Sequence, residues 1–437
     1  MSTTTKFSLR LVIVFAAATS VGLSMAFVSI ARLFLTLCGL VVMLRTLAQQ
    51  KGSDRTDVQS TSLATTMWST KLSLVALAAF AASMLWTVGA WDDAFMTFAK
   101  YGKLLSIPLL IAMIRTRSEA LLALAFFSTT QILLVLASWA LFAGLPVPWA
   151  NSAMAQTEHA VFSTYLDQGI ISAVFAFVCW HLRHLVPGRY GRHLAVAVGL
   201  IALANVFFVL SGRSGHAVAV VLLSLSIMFE LPKRSRALVV VIPFVLSAVL
   251  FFSSSKVNLR VTQVFNDVTA YSSNTTAVTS SGIRLNLWQR AIESMSQNPL
   301  KGSGVGSWSH EYNRIEVQHN AAYKVAHQSN PHQEYLMWAM QLGIPGLLLF
   351  CALLLALLWD ATKLPASHAR ATQSVVIGLA VACLFNCSLY DALIGDFFCI
   401  TLGLMFALGY QMRMRPLAQQ KSSRPQQVAK PLSDLTA

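Results

Sequence analysis

The sequence predicts an all-α, polytopic membrane protein with about twelve transmembrane helices and one large, partly helical loop on the outer face. Three observations predict it. Of the 437 residues, 56% are hydrophobic and 11% charged, with a mean hydropathy of +0.62, whereas a soluble domain carries about 25% charged residues. That balance excludes a water-soluble enzyme. It also excludes a disordered chain, which needs the opposite composition. The apolar residues gather in runs close to the length that crosses a bilayer, about 20 residues each, and the Lys and Arg residues fall mostly between alternate runs. The formal charge of +15 therefore reads as membrane sorting, with lipid rather than nucleic acid as the partner.

Taken in order, the candidate spans are 9–24, 27–47, 72–90, 98–115, 119–143, 161–181, 193–211, 215–231, 236–253, 344–359, 370–389 and 393–412. The first two share one apolar stretch that breaks near Ser24 to Phe27. Lys6 and Arg10 before it, with Ser24-Met25-Ala26 after it, also have the form of a cleavable signal peptide. Removing that span would upset the charge sorting, so a retained helix is the preferred reading. With the N-terminus inside, 21 of the 32 basic residues and 6 of the 17 acidic ones fall on the inner side, a net of +15, and 11 of each fall outside. Lys6, Arg10, Lys51, Arg117, Arg183, Arg192, Lys233, Arg236 and Arg370 are among the inner set. Both termini are thus expected in the cytoplasm. The six cysteines, Cys38, Cys179, Cys351, Cys383, Cys387 and Cys399, lie inside apolar runs and read as small buried hydrophobes.

Some basic residues run against the sorting. Lys100 and Lys103 sit at the outer end of the fourth span, and Arg213 sits in the outer turn Ser211-Gly212-Arg213-Ser214-Gly215-His216. Snorkelling to lipid phosphates is one reading for the lysines and an anionic partner is the other. For Arg213 the anion is favoured, because a short Gly-containing turn fixes the side chain and offers backbone N–H groups.

Residues 254–332, 79 in all, interrupt the spans. The chain thus divides into spans one to nine (1–253), a large loop (254–332), a short surface helix with spans ten to twelve (333–412) and a basic tail (413–437). Loops of this length are usually functional. Within it, 283–297 reads as an amphipathic helix with Arg284, Trp288, Ala291 and Met295 on one face and Ser280 or Ser281 as N-cap. Asn298-Pro299 ends it. The Gly-rich run Lys301 to Ser307 either brings backbone donors to a ligand or, more simply, makes a tight turn that re-aims the chain. Pro331 then fits a helix start, Gly343 a stop, and Pro345-Gly346 the restart as the tenth span. His332 falls at the start of that short helix, whose positive end disfavours imidazolium and leaves a neutral, proton-accepting ring.

The chemistry is narrowed by what the sequence lacks. His310, His319, His327 and His332 cluster with Glu311, Glu316 and Glu334, but their gaps do not set two ligands on one helical face. Neither a Walker sequence, nor a dinucleotide fingerprint, nor G-x-S-x-G is found. What remains is Arg213, Arg284, Lys100 and Lys103 with one histidine, and no cofactor. Guanidinium groups hold phosphate oxygens bidentately. A lipid diphosphate, which carries its own leaving group, needs only such cations and a base for the attacking hydroxyl.

The run His332-Gln333, nine residues, then Gly343-Ile344-Pro345-Gly346 resembles the H-[NSQ]-x9-G-x-x-G signature of the O-antigen ligases. Arg284…Trp288…Asn298-Pro299-Leu300…Gly302…Gly304 resembles the stretch that precedes it in the same superfamily, and the Ser-Gly-Arg213 turn resembles the family's earlier outer-face arginine. The resemblance implies a fold like that of the C-type glycosyltransferases. It implies a metal- and nucleotide-independent enzyme of the bacterial inner membrane, with its site on the periplasmic face. Such an enzyme moves a polysaccharide from undecaprenyl diphosphate to a sugar hydroxyl of lipid A–core, with inversion. By the same resemblance His332 is the base and Arg213 and Arg284 hold the diphosphate. Trp288, Glu334 and Tyr335 support them, and Asp391 orients an arginine.

O-antigen polymerases share this plan but use a second lipid-linked glycan as acceptor, often with paired R-x10-G elements. Eleven residues on from Arg284 is Met295, and from Arg213 is Ser224, so neither fits. Protein-glycosylating relatives tend to carry an added C-terminal region. A lipid or glycan transporter is the alternative of another class, though the chain shows neither a clear repeat nor many ionisable residues at mid-bilayer depth.

Overall fold

The computed structural model of the chain describes residues 8–48, 55–150, 152–232, 234, 235, 237, 241–273 and 280–422. Its α-helices are α1 (Leu9–Ser20), α2 (Met25–Ala48), α3 (Arg55–Thr66), α4 (Trp68–Ser83), α5 (Trp91–Tyr101), α6 (Ser106–Met113), α7 (Arg117–Phe142), α8 (Ala153–Glu158) and α9 (Tyr165–Leu182). Then follow α10 (Gly191–Ala204), α11 (Arg213–Glu230), α12 (Ile242–Ser253), α13 (Ser255–Ser273), α14 (Ser280–Gln297), α15 (Trp308–His319), α16 (Glu334–Thr362), α17 (Ala366–Ala382) and α18 (Ala392–Ser422). Among the described residues there is no strand. Lys6, Lys51, Lys233, Arg236 and the tail beyond Ser422 lie outside them.

The chain is an all-α, polytopic membrane protein. Among the described residues nine helical segments are long and apolar enough to span a bilayer, or ten if the bent pair Ile242–Ser253 and Val257–Gln263 makes one span. The other expected spans are shorter than that test requires or lie partly outside the described residues. The expected first span, α1, has 12 residues, a rise of about 18 Å at 1.5 Å per residue, short of a hydrocarbon core of about 30 Å, and the expected ninth, 236–253, lies partly outside the described residues. Helix α17, the expected eleventh, has 17 residues and packs among α9, α11, α16 and α18.

The core gathers around α9, which packs on α10, α11 and α17, and around the almost wholly buried Ala392–Arg413 part of α18. Beneath the start of α16 lies an aromatic cluster: Phe80 stacks on Tyr101 at 4.2 Å, and Trp338 meets both edge-on at 4.8 and 5.5 Å.

The large loop is mostly helical. Both expected caps, Ser280 and Ser281, fall within α14, and the residues just before Ser280 lie outside the described ones. Its buried face is Leu287, Ala291 and Ser294, with Trp288 and Met295 half-buried beside it. Helices α13 and α15 were not anticipated.

Helix α16 is broken at Gly343, whose φ of 72° and ψ of −167° are non-helical. The loop after α14 fills the break. Ser303 and Gly304 donate their N–H groups to the carbonyls of Met340 and Gln341, each at 2.9 Å, and Pro299 accepts from the N–H of Ile344 at 2.7 Å. The Gly-rich run is thereby a packing element and not a ligand loop. Its N–H groups from Gly302 to Gly306 are bonded to Asn298, Met340, Gln341 and Ser83. At Gly304, φ is 88°, and a Cβ would stand 2.3 Å from the Cα of Thr87. The break and the loop that fills it therefore tie α14, which carries Arg284, to α16, which follows His332.

Candidate active site

His332 lies two residues before α16, with Gln333 as the N-cap between them. Its φ is 53°, in the left-handed region that non-glycine residues avoid. Asn330 holds the turn. Its Oδ1 accepts the His332 N–H at 2.8 Å, while its Nδ2 donates to Asp391 Oδ1 at 3.1 Å. Burial, and next to it the positive charge of Arg284, pull the imidazole below its ordinary pKa. Partial burial and a guanidinium thus supply the neutral ring for which the sequence reading invoked the helix end.

Arg284, in the first part of α14, is drawn below the ordinary arginine value first by burial and then by its neighbour Arg213, against a smaller opposing effect of Tyr165. Arg213 opens α11 and donates from Nη1 to Ser281 Oγ at 2.8 Å. His332, Arg284 and Arg213 therefore share one electrostatic neighbourhood, drawn from three separate elements. Arg213 also lines a cavity of about 370 Å³ between α11, α12 and α13 whose other walls are largely apolar, among them Phe207, Val220, Leu250 and Val257.

The remaining expected site residues divide by contact. Lys103 is fully buried, and its ammonium donates to the carbonyls of Asp391 at 2.6 Å, Tyr390 at 3.3 Å and Ala392 at 3.4 Å. Three backbone carbonyls thus take up the ammonium that was expected to bind phosphate. Lys100 sits over the ring of Tyr390 at 3.9 Å. Glu334 is also fully buried. It accepts from Tyr101 Oη at 3.0 Å, Trp338 Nε1 at 2.9 Å and the N–H groups of Leu389 and Tyr390 at 3.0 Å. Lys103 and Glu334 thus clamp one loop from its carbonyl and its amide side, and that loop aims Asp391 at Asn330. Asp391 reaches an asparagine where an arginine was expected. Burial pushes its carboxyl up to about 6, against the pull of Lys103 and Lys100. Tyr335 donates to the carbonyl of Ala380 at 3.0 Å and packs edge-on against Phe350. Trp288 keeps its indole N–H buried and without a hydrogen-bond partner.

Sequence reasoning missed Asn330, Ser281 and the start of α9. There Thr164 caps the helix by accepting from the N–H of Asp167 at 3.2 Å, Tyr165 acts on Arg284, and Asp167 feels the charge of Asp391. Thr164-Tyr165-Leu166-Asp167 before an apolar run is a capping-box signal, but such a signal marks a helix start and not a site. Among the described residues no three His, Cys, Asp or Glu side chains gather in a metal-binding group.

This arrangement sets a partly buried histidine beside two guanidinium groups, with a largely apolar cavity at one of them. It suits a substrate with an anionic leaving group on a lipid. Residues 197–351 match the family model described as O-antigen ligase. The matched segment runs from within α10 to within α16, and so takes in Arg213, Arg284, His332, Gly343 and Gly346. The curated proteins contain no match to the chain.

Proposed function

With residues 197–351 carrying the O-antigen ligase domain, the chain is a multi-pass membrane protein of glycosyltransferase type, and from that premise we propose that it is an O-antigen ligase. The donor is a polysaccharide on undecaprenyl diphosphate, and the acceptor is a sugar hydroxyl of lipid A–core on the periplasmic face of the inner membrane. The acceptor oxygen attacks the anomeric carbon opposite the diphosphate, the bond from that carbon to the phosphate oxygen breaks, and its electron pair leaves with the diphosphate. The attacking hydroxyl loses its proton to His332. Arg284 and Arg213 neutralise the charge that develops on the departing diphosphate. Asn330 and Asp391 are positioning residues: they touch His332, directly and in series, and no reacting atom.

One observation carries this reading. A histidine biased toward its neutral form and two guanidinium groups are brought together from distant parts of the chain, beside an apolar cavity able to take part of a polyprenyl chain. A polymerase would use the same groups, and the two differ in acceptor. Neither arginine begins an R-x10-G element, which favours the ligase.

The test offers purified protein its lipid-linked glycan with either lipid A–core or a second lipid-linked chain, and separates products on a gel. Product on lipid A–core supports the ligase, and product only on the second chain makes the protein a polymerase. His332→Ala is expected to abolish transfer while leaving the protein inserted and folded. Retained activity in that variant would remove His332 as the base.

A further inference from the structure

Helices α9 and α11 run from the His332 centre to the opposite end of the bundle, and α17 returns along them. Eighteen residues in each of α9 and α11 separate the two ends by about 27 Å. At the far end is a second, chemically distinct cavity of about 460 Å³. It is lined by Arg183, Arg192, Arg370, His181, His184 and Glu230, besides Ser367 and Ala366. Three guanidinium groups face one carboxylate there, and that carboxylate is already paired with Arg370 at 3.3 Å. The guanidinium of Arg183 sits over the ring of Trp180 at 4.2 Å, and Arg192 is exposed and makes no hydrogen bond or ion pair among the described residues. A surplus of guanidinium charge in a cavity is a site for an oxyanion, and phosphate matches the guanidinium fork.

A second observation says what carries the phosphate. Next to this chamber, between α9, α10 and α11, is an apolar slot of about 350 Å³ lined by Phe177, Trp180, Leu200, Leu203, Leu223 and Ile227. Glu230 belongs to the walls of both cavities, and Trp180, which lines the slot, carries Arg183 on its face. Leu200 is 61% exposed, so the slot opens sideways where bilayer lipid is. A cationic chamber that shares a wall with an apolar slot matches the charge and apolar parts of an amphiphile. Free phosphate would leave the slot empty, and an uncharged lipid would leave the surplus guanidinium charge unmatched.

We propose that this double cavity binds an anionic phospholipid, with its phosphate on Arg183 and Arg192 and an acyl chain in the slot. The site is independent of the transfer reaction and lies at the other end of the helices that build its centre. The experiment takes the full-length protein in detergent and measures thermal unfolding and lipid adducts by native mass spectrometry. The probes are phosphatidylglycerol, phosphatidylcholine with the same chains, and inorganic phosphate. Phosphatidylglycerol is expected to raise Tm and remain bound, and the other two probes to do neither at equal concentration. Arg183→Gln with Arg192→Gln is expected to weaken phosphatidylglycerol binding about 10–30-fold, from roughly one favourable contact per basic residue. Leu200→Trp, which fills the slot from an exposed position, is expected to weaken it without touching the charges. Equal protection by phosphatidylcholine, equal protection by inorganic phosphate, or wild-type lipid binding in both variants would each overturn the proposal.

Discussion

His332 is held in a backbone conformation that costs about 1–3 kcal/mol for a residue with a Cβ, and the cost is offset by Asn330, which binds the His332 N–H and is itself tied to Asp391. Asn330→Ala frees that turn. Because a misplacement of about 1 Å can cost 10²-fold in rate, the variant is expected to lose kcat by about 10–100-fold, with the KM for the lipid-linked donor nearly unchanged. Steady-state kinetics separates the two parameters, and a change confined to KM would give Asn330 a binding role. The pH profile follows from the same neighbours. The reaction needs neutral imidazole, and burial with the Arg284 charge lowers the pKa of that ring, so activity persists on acidification to below the ordinary histidine range. Arg284→Gln removes a positive neighbour, raises the pKa and moves the acid limb to higher pH. Arg284→Lys keeps the charge, so the limb is expected to stay in place while the rate falls about 10²-fold with loss of the bidentate fork. Identical limbs in the two variants would show that Arg284 does not act on His332. Asp391 protonates as pH falls through about 6, which weakens its hold on Asn330. The wild-type limb therefore contains two proton steps, and Asp391→Asn is expected to leave one.

At the scale of elements, the Gly-rich run and Gly343 join two helices. Gly343 breaks α16, and the loop from Pro299 to Gly304 supplies the hydrogen bonds that the break removes. In Gly304→Ala the new Cβ would stand 2.3 Å from the Cα of Thr87 and 2.7 Å from its Cβ, so backbone must move. A loss of about 1–3 kcal/mol from overpacking alone is expected, read as a lower Tm of the purified protein. Gly102→Ala, where a Cβ meets nothing within 4 Å, is the matched control and is expected to leave Tm in place; equal losses in both would point away from this contact. The membrane spans were legible in the sequence because hydropathy is a local property. The Gly-rich run was legible as a turn that re-aims the chain, but its partner was not, since its donors meet Met340 and Gln341, some 40 residues on. Helix α15 was overlooked for a related reason. Its buried residues Trp308, Glu311, Tyr312 and Ile315 have helical spacing, but one is an acid, paired with Arg314 and bonded to Ser294, and an apolar template skips it. The short helix α1 shows the converse limit: an apolar run gives the material for a span and not the length of the helix it forms.

At the scale of the molecule, charge is sorted between the two ends of the bundle. Arg10 pairs with Glu119, Arg413 donates to the carbonyl of Lys363, and Arg370 pairs with Glu230, all at the end that holds Arg183 and Arg192. His332, Arg213, Arg284 and the loop carrying Asp391 lie at the other. Basic residues resist translocation, so the proposed reaction predicts that the first end faces the cytosol and that the His332 centre opens to the periplasm. The orientation can be read by labelling. Leu300 is 79% exposed and lies in the loop that docks on the break in α16, while Tyr190 is 68% exposed at the basic end. The six native cysteines are buried or half-buried and give a low background. A membrane-impermeant thiol reagent added to spheroplasts is expected to label Leu300→Cys at once and Tyr190→Cys only after the membrane is opened. The reverse pattern would turn the two arginines and the histidine toward the cytosol. The proposed periplasmic transfer would then fail whatever the side chains do, while the family match and the helical architecture would stand unchanged.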